Sequence, residues 1–271
     1  MHEKTEGYGP GSGGEEIIVV EDLTVGYGDT AVLKDLNFSI ARGKSLTILG
    51  PSGCGKSTLL KSLIGLLPPW KGRVRVAGEE IGTAQDPRVL NQVRRQAGVL
   101  FQSGALLGSL TVAENVSLPL EEFTDLPRNL IHEMVQLKLD LVNLGKYGHL
   151  MPAELSGGMR KRAGLARAMA LDPKILFCDE PSAGLDPATS AEIDGLLIEL
   201  TAVLGVTVVL VTHELGSIDN LADHCIMLDA EAKGIIARGS YEELKLKSQD
   251  PRVKAFFQRE VPRNLVRKGG P

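Results

Sequence analysis

One stretch, Gly50-Pro51-Ser52-Gly53-Cys54-Gly55-Lys56-Ser57-Thr58, constrains the chain more than any other. A glycine is followed by four residues and then by Gly-Lys-Ser. The apolar run Ser45–Leu49 leads directly into it, and helical spacing follows over Ser57–Leu67, up to Pro68-Pro69. Glycines here let backbone N–H groups turn inward, and the start of a helix adds positive potential. That is the chemistry of a phosphate cradle. Lys56 is the residue type that reaches terminal phosphates, and Ser57 the type that binds Mg²⁺. A buried strand, a phosphate loop and a helix in succession belong to an α/β fold.

The rest of the chain continues in that alternation. Ile17–Val25 and Val32–Ile40 read as strands around a Gly-Tyr-Gly-Asp turn, and Arg73–Ile81 as a strand around an Ala77-Gly78 break. Ala97–Phe101, Ile175–Cys178 and Thr207–Val211 are short apolar strands, and His224–Leu228 and Gly234–Ala237 are expected to be two more. From Gln102 to Met169 the pattern turns helical, with Leu130, Met134, Leu137 and Leu141 on one stripe. Pro187 opens a helix carrying Ile193, Leu196, Leu197, Leu200 and Leu204 on one face, with Asp186 placed to cap it. The sum is a largely parallel sheet covered by helices, with a helical subdomain inserted at about 103–170.

Composition sets outer limits. At 271 residues the chain suffices for one α/β domain with a buried core. A formal net charge of −4 gives no pull toward nucleic acid, and a nucleic-acid partner is not expected. Three cysteines at unhelpful spacing suit neither a disulfide framework nor zinc. Residues 1–16 read as a disordered leader without an apolar stretch, and runs such as Val206–Val211 are too short to cross a bilayer. Any membrane attachment then runs through a partner. The basic segment Arg252–Lys268 reads as a solvated tail, with an anionic surface as the sharper alternative. Cys54 is a small filler or, at a helix N-terminus, a thiol of lowered pKa.

A second glycine turn, Leu155-Ser156-Gly157-Gly158-Met159, opens a helix about a hundred residues after the first. Lys174-Ile175-Leu176-Phe177-Cys178-Asp179-Glu180 ends an apolar strand on paired carboxylates. With the phosphate loop, these strings resemble the ATP-binding cassette (ABC) ATPases over Tyr27 to His213. The resemblance implies an α/β, ABC-type P-loop nucleotide-binding domain over 17–247. It would have a RecA-like core, an antiparallel β subdomain and the inserted helical subdomain, followed by a C-terminal extension over 248–271.

The resemblance also distributes roles. The loop from Gly50 to Thr58 would hold ATP phosphates, and Tyr27 would stack on adenine. Ser57, Gln102 and Asp179 would serve Mg²⁺, Asp179 through a water. Glu180 would act on the attacking water as base or orienter, and His213, 34 residues after Asp179, would contact the γ-phosphate. Ser156, Gly157 and Gly158 would complete the site of a second copy in a head-to-tail dimer. The Ser182–Asp186 loop would cross the same interface.

Within the family, Phe101–Leu106, Ser109–Val116, Leu118–Leu120, Glu154–Met159 with Met for the usual Gln, and Asp250–Val253 look like the Mla/Mce-associated ATPases. That likeness implies an ATPase for phospholipid transport on the cytoplasmic side of an inner membrane. Its partners would be an integral-membrane permease dimer, an Mce-domain lipid-binding protein and a STAS-domain protein. Ser103–Leu120 is expected to receive the permease. A small-solute importer and a non-transport ABC protein remain alternatives at this level.

Overall fold

The computed structural model describes residues 15–83, 86–213 and 222–258. Two sheets form the body. One is antiparallel, in the order β2-β1-β4-β5, from β1 (Glu16–Tyr27), β2 (Thr30–Ala41), β4 (Lys71–Val76) and β5 (Glu79–Ile81). The other adds β3 (Ser45–Leu49), β6 (Ala97–Leu100), β7 (Ile175–Asp179), β8 (Thr207–Val211), β9 (His224–Asp229) and β10 (Gly234–Gly239) in the order β10-β9-β3-β8-β7-β6. All its pairings are parallel except β10 with β9.

The central strands are buried on both faces, and their alternation builds separate cores. Ile175, Phe177, Val209, Val211, Ile226 and Leu228 point toward the antiparallel sheet and α1 (Lys56–Leu63). Leu176, Cys178, Val208 and Leu210 point the other way, into the core under α5 (Gly157–Ala168) and α6 (Pro187–Leu204). Cys225 and Met227 of β9 enter a third cluster with Tyr241, Leu244 and α7 (Pro251–Gln258). The intervening helices are α2 (Pro87–Gln96), α3 (Val112–Phe123) and α4 (Arg128–Leu141).

Several expectations are corrected. The helix after the phosphate loop ends at Leu63 and not Leu67, because Gly65 turns left-handed (φ 71°) and Leu66 N–H donates back to Lys61 O. Arg73–Ile81 is a hairpin rather than one strand. Ala77 (φ 52°) and Gly78 (φ 91°) are both left-handed, the requirement of a two-residue turn that matches strand twist. On α4 the stripe is half as expected: Met134 and Leu141 pack against the second core, but Leu130 and Leu137 are 40% and 67% exposed, and the fully buried residues are Ile131, Val135 and Leu139. Leu204 of α6 is also exposed, whereas Ile193, Leu197 and Leu200 are buried. Asp186 caps α6 as expected, accepting from Ala188 N and Thr189 N. Helix α2 was not anticipated, although Asp86 caps it and Pro87 opens it.

Arg252 is not a free cation of a solvated tail. It pairs with Asp250 and with Asp229 at the end of β9, and Val253 beside it is fully buried. The remainder of that basic segment, from 259 onward, and the leader up to residue 14 lie outside the described residues.

Candidate functional site

The parallel strands deliver the site at their C-terminal ends, where open α/β sheets bind ligands. The phosphate loop follows β3, Asp179 and Glu180 end β7, His213 follows β8, and Gln102 lies two residues beyond β6. All of these but Gly50, Cys54 and Asp179 line a cleft of about 700 Å³, together with Val32 and Phe256.

Two loop glycines are sterically required. Gly50 has φ 144°, and a Cβ there would lie 2.5 Å from Leu228 O. Gly55 has φ 104°, with Leu33 Cδ2 only 2.9 Å from a would-be Cβ. Lys56 is buried, and its Nζ donates to Gly50 O (2.7 Å) and Pro51 O (3.2 Å), so the ammonium is held over the loop. Cys54 faces the first core and not the cleft. Burial pushes its thiol up against smaller opposing effects of Lys56, which overturns the lowered-pKa expectation.

Ser57 Oγ donates to Asp179 Oδ1 at 3.4 Å. Burial and then the Glu180 charge push the Asp179 carboxyl up, opposed by Ser57 and by Lys56. Glu180 adopts φ 50°, a strained value for a non-glycine, and is held there from both sides. Its N–H donates to Val211 O (2.8 Å), and Lys161 Nζ of α5 donates to its carbonyl (2.9 Å). Glu180 Oε1 lies 2.7 Å from His213 Nδ1, while Oε2 is buried without a hydrogen-bond partner.

The Ser57 hydroxyl and the Asp179 carboxylate, brought together at 3.4 Å, fit Mg²⁺, which takes one or two protein oxygens and completes its shell with phosphates and water.

Other expected residues lie elsewhere. Ser156 caps α5, accepting from Met159 N at 3.2 Å. Gly158 sits where a Cβ would come within 2.4 Å of Thr189 Cγ2, so glycine lets the turn press on α6. Ser156, Gly157 and Gly158 do not line the cleft, and neither does Tyr27, which is 49% exposed at the end of β1. Val32 and Phe256 were not singled out from sequence, and Lys161, which reads with Arg160, Arg162 and Arg167 as one face of a helix rather than a nucleic-acid patch, is buried. A lysine inside a helix shows no sign of burial until its acceptor is known.

The fold and this cleft define a nucleotide-binding ATPase of the P-loop class. The chain belongs to the ABC transporter family, whose profile matches residues 33–183. It is similar to the intermembrane phospholipid transport system ATP-binding protein MlaF of Haemophilus influenzae, with 42% identity over 246 residues, 91% of this chain and 92% of the relative. It is also 41% identical to the probable ribonucleotide transport ATP-binding protein mkl of Mycobacterium leprae, across 89% of this chain and 68% of that one. Among solved structures, a dimeric ATP-binding cassette in a post-hydrolysis state with ADP and Pi matches with a TM-score of 0.75 and 29% identity, covering 82% of this chain and 98% of that one. The chain is thus an ATP-binding, ATP-hydrolysing subunit of this family.

Proposed function

We propose that the chain is the ATPase subunit of an inner-membrane transporter that moves phospholipid between inner and outer membranes, with the MlaF likeness as the source of the cargo. The observation that carries the chemistry is the convergence of Lys56, Glu180, His213 and Gln102 on one cleft.

In this reading the loop N–H groups and Lys56 bind the triphosphate, Lys56 exchanging its Gly50 and Pro51 carbonyls for phosphate oxygens. Ser57 and Asp179 would hold Mg²⁺, which offsets phosphate charge. His213 holds Glu180 Oε1, leaving the unpartnered Oε2 to accept a proton from the attacking water. Ser156, Gly157 and Gly158 close the site of a second copy, with backbone N–H groups at a helix start facing its γ-phosphate.

The chain is peripheral and held by a permease dimer, with Mce-domain and STAS-domain proteins as further partners. No helix among the described residues is long and apolar enough to cross a membrane. The permease would meet the groove of about 360 Å³ that includes Arg94, Phe101, Ala105, Pro119, Phe123 and Arg167. Leu107, 49% exposed on the loop leading from Gln102 and outside that groove's lining, is the better probe of a permease contact along Ser103–Leu120 than the partly buried Leu106.

Glu180→Gln tests the chemistry. ATP binding persists while turnover falls by about 10²–10⁴, and undiminished turnover refutes the role. Cargo is tested on the complex purified with its membrane subunits. Phospholipid in the complex and lipid-stimulated turnover are expected. Stimulation by ribonucleotides instead would favour the solute reading that the mkl likeness suggests.

A further inference from the structure

The Glu180 carboxylate is only as well placed as the loop that follows it. Residues 181–185 join Glu180 to Asp186, the cap of α6, without helix or strand. Two backbone bonds shape the turn: Ala183 N–H donates to Glu180 O and Leu185 N–H to Ser182 O, each at 3.2 Å. Both lie inside the loop, so they do not fix where it sits. Among the described residues nothing comes within 4 Å of a would-be Cβ on Gly184 (φ 78°), so packing does not hold the tip there.

One stripe of α6 does the holding. Asp186, Ser190 and Asp194 recur every four residues and share a face. Helical side chains lean toward the N-terminus, which here is toward the loop. Asp186 closes the first turn of the helix. Ser190 Oγ donates to Ser182 O in a long bond of 3.4 Å. Asp194, about two turns into the helix, accepts from Ser182 Oγ at 2.9 Å. Ser182 is buried, and a buried hydroxyl needs a partner. A carboxylate acceptor makes this the stronger, charge-assisted kind of bond. Neither Ser182 nor Asp194 lines the cleft, so neither is placed to touch the nucleotide.

We propose that Asp194 is a positioning residue for ATP hydrolysis: by holding Ser182 it sets the loop behind Glu180 and, through Ala183 N–H, the backbone from which the Glu180 carboxylate projects. Glu180 stands at φ 50°, a conformation that persists only while its surroundings fix it. Without Asp194 the Ser182 hydroxyl turns to another acceptor, and the loop and the Ala183 N–H move with it. The proposal rests on Glu180 acting on the attacking water.

The test measures kcat and KM for ATP in the complex purified with its membrane subunits. Asp194→Ala is expected to lower kcat by between about ten- and a hundredfold, the scale of a small misplacement of a reacting group, with KM unchanged. Asp194→Asn keeps an oxygen that accepts from Ser182 and should recover most of the rate. Ser182→Ala should match Asp194→Ala, and the double variant should lose no more than either alone, as residues acting through one bond do. Unchanged kcat in a folded Asp194→Ala, an equal loss in Asp194→Asn, a loss carried by KM, or losses that multiply in the double variant would each overturn the proposal. Should Asp194→Ala not fold, Ser182→Ala removes one hydroxyl and decides alone: lowered kcat at constant KM supports the proposal, and wild-type kcat overturns it. Glu180→Gln is run beside these variants. If it leaves turnover intact, the reading of Glu180 fails; if it abolishes turnover while Asp194→Ala keeps the wild-type rate, the positioning role alone fails.

Discussion

Replacing Asn115 tests how the loop beyond Gln102 keeps its shape. Asn115 is fully buried in the first turn of α3, behind a capping box in which Thr111 and Glu114 exchange hydrogen bonds. Its Oδ1 accepts from Leu107 N (2.7 Å), and its two amide protons are shared among Leu107 O (3.1 Å), Leu110 O (3.1 Å) and Thr111 O (2.9 Å). After Asn115→Ala, Leu107 O keeps Leu110 N–H and Thr111 O keeps the residue-115 N–H. Leu107 N and Leu110 O are the groups that lose a partner. At about 1–3 kcal/mol for each buried orphan, and with half-exposed Leu107 open to water, the expected loss is about 2 kcal/mol. For a domain of this size that lowers the melting temperature by roughly 4–8 °C.

Asn115→Asp is the sharper change. It keeps the acceptor for Leu107 N but turns three donor contacts into oxygen–oxygen contacts around a buried carboxylate. The loss then exceeds about 3 kcal/mol at neutral pH. Urea unfolding at constant m-value measures both. Asn115→Ala within about half a kcal/mol of wild type, the usual range of a surface change, or Asn115→Asp as stable as Asn115→Ala at pH 7, would refute the reasoning.

Three further outcomes follow from the same geometry. With Cys54 raised by burial and Cys178 and Cys225 also buried, the folded chain should resist maleimide at pH 7 and react fully once unfolded, and fast labelling of Cys54 would contradict this. Asp223 is held low despite burial, because Ser45 N and Oγ and Lys44 Nζ donate to it. A folded value below the unfolded one gives stability above about pH 4 that is lost as pH falls through the folded value. The melting-temperature gap between wild type and Asp223→Asn should therefore be present at pH 7 and shrink on acidification. Lys161→Met keeps the side-chain volume but frees the Glu180 carbonyl. Turnover should fall between about ten- and a hundredfold with ATP affinity retained, and unchanged turnover would show that Lys161 does not position Glu180.

The nucleotide cleft was legible because its parts are local. Gly50 to Thr58 is contiguous, and Asp179 and Glu180 end a strand whose apolar run is visible by eye. The parallel sheet and the two-sided burial of β7 and β8 followed from unbroken apolar runs between helices, whereas the strand order appears only in the structure. What stayed hidden depends on contacts distant in sequence. The α4 stripe was only half legible, with Met134 and Leu141 on the core side but Leu130 and Leu137 not, because the interleaved set Ile131–Val135–Leu139 also has helical spacing and only packing on α3 and α5 selects it. Asn115 reads as an ordinary polar residue near a helix start, since its partners are backbone groups that carry no residue identity. Phe256 reaches the cleft only because β9 and α7 bring the end of the chain back to the loop.

Helix α5 ties these pieces together. Its N-terminus is the Ser156 turn, which presses on α6 through Gly158. Five residues on, Lys161 holds the carbonyl of Glu180. Near its end, Arg167 donates to Ala105 O (2.7 Å) and Gly104 O (3.0 Å), in the loop that starts at Gln102. The packing there is backbone on backbone, because a Cβ on Gly164 would lie 2.9 Å from Gly104 O and one on Gly104 would lie 2.8 Å from Arg160 O. At 1.5 Å per residue the three stations span about 16 Å along one short helix. Gly164 lies inside that span, and its close contact with the Gly104 backbone is what seats the helix on the loop. The Ser156 turn, the Glu180 carbonyl and the loop beyond Gln102 are thus all held by one helix.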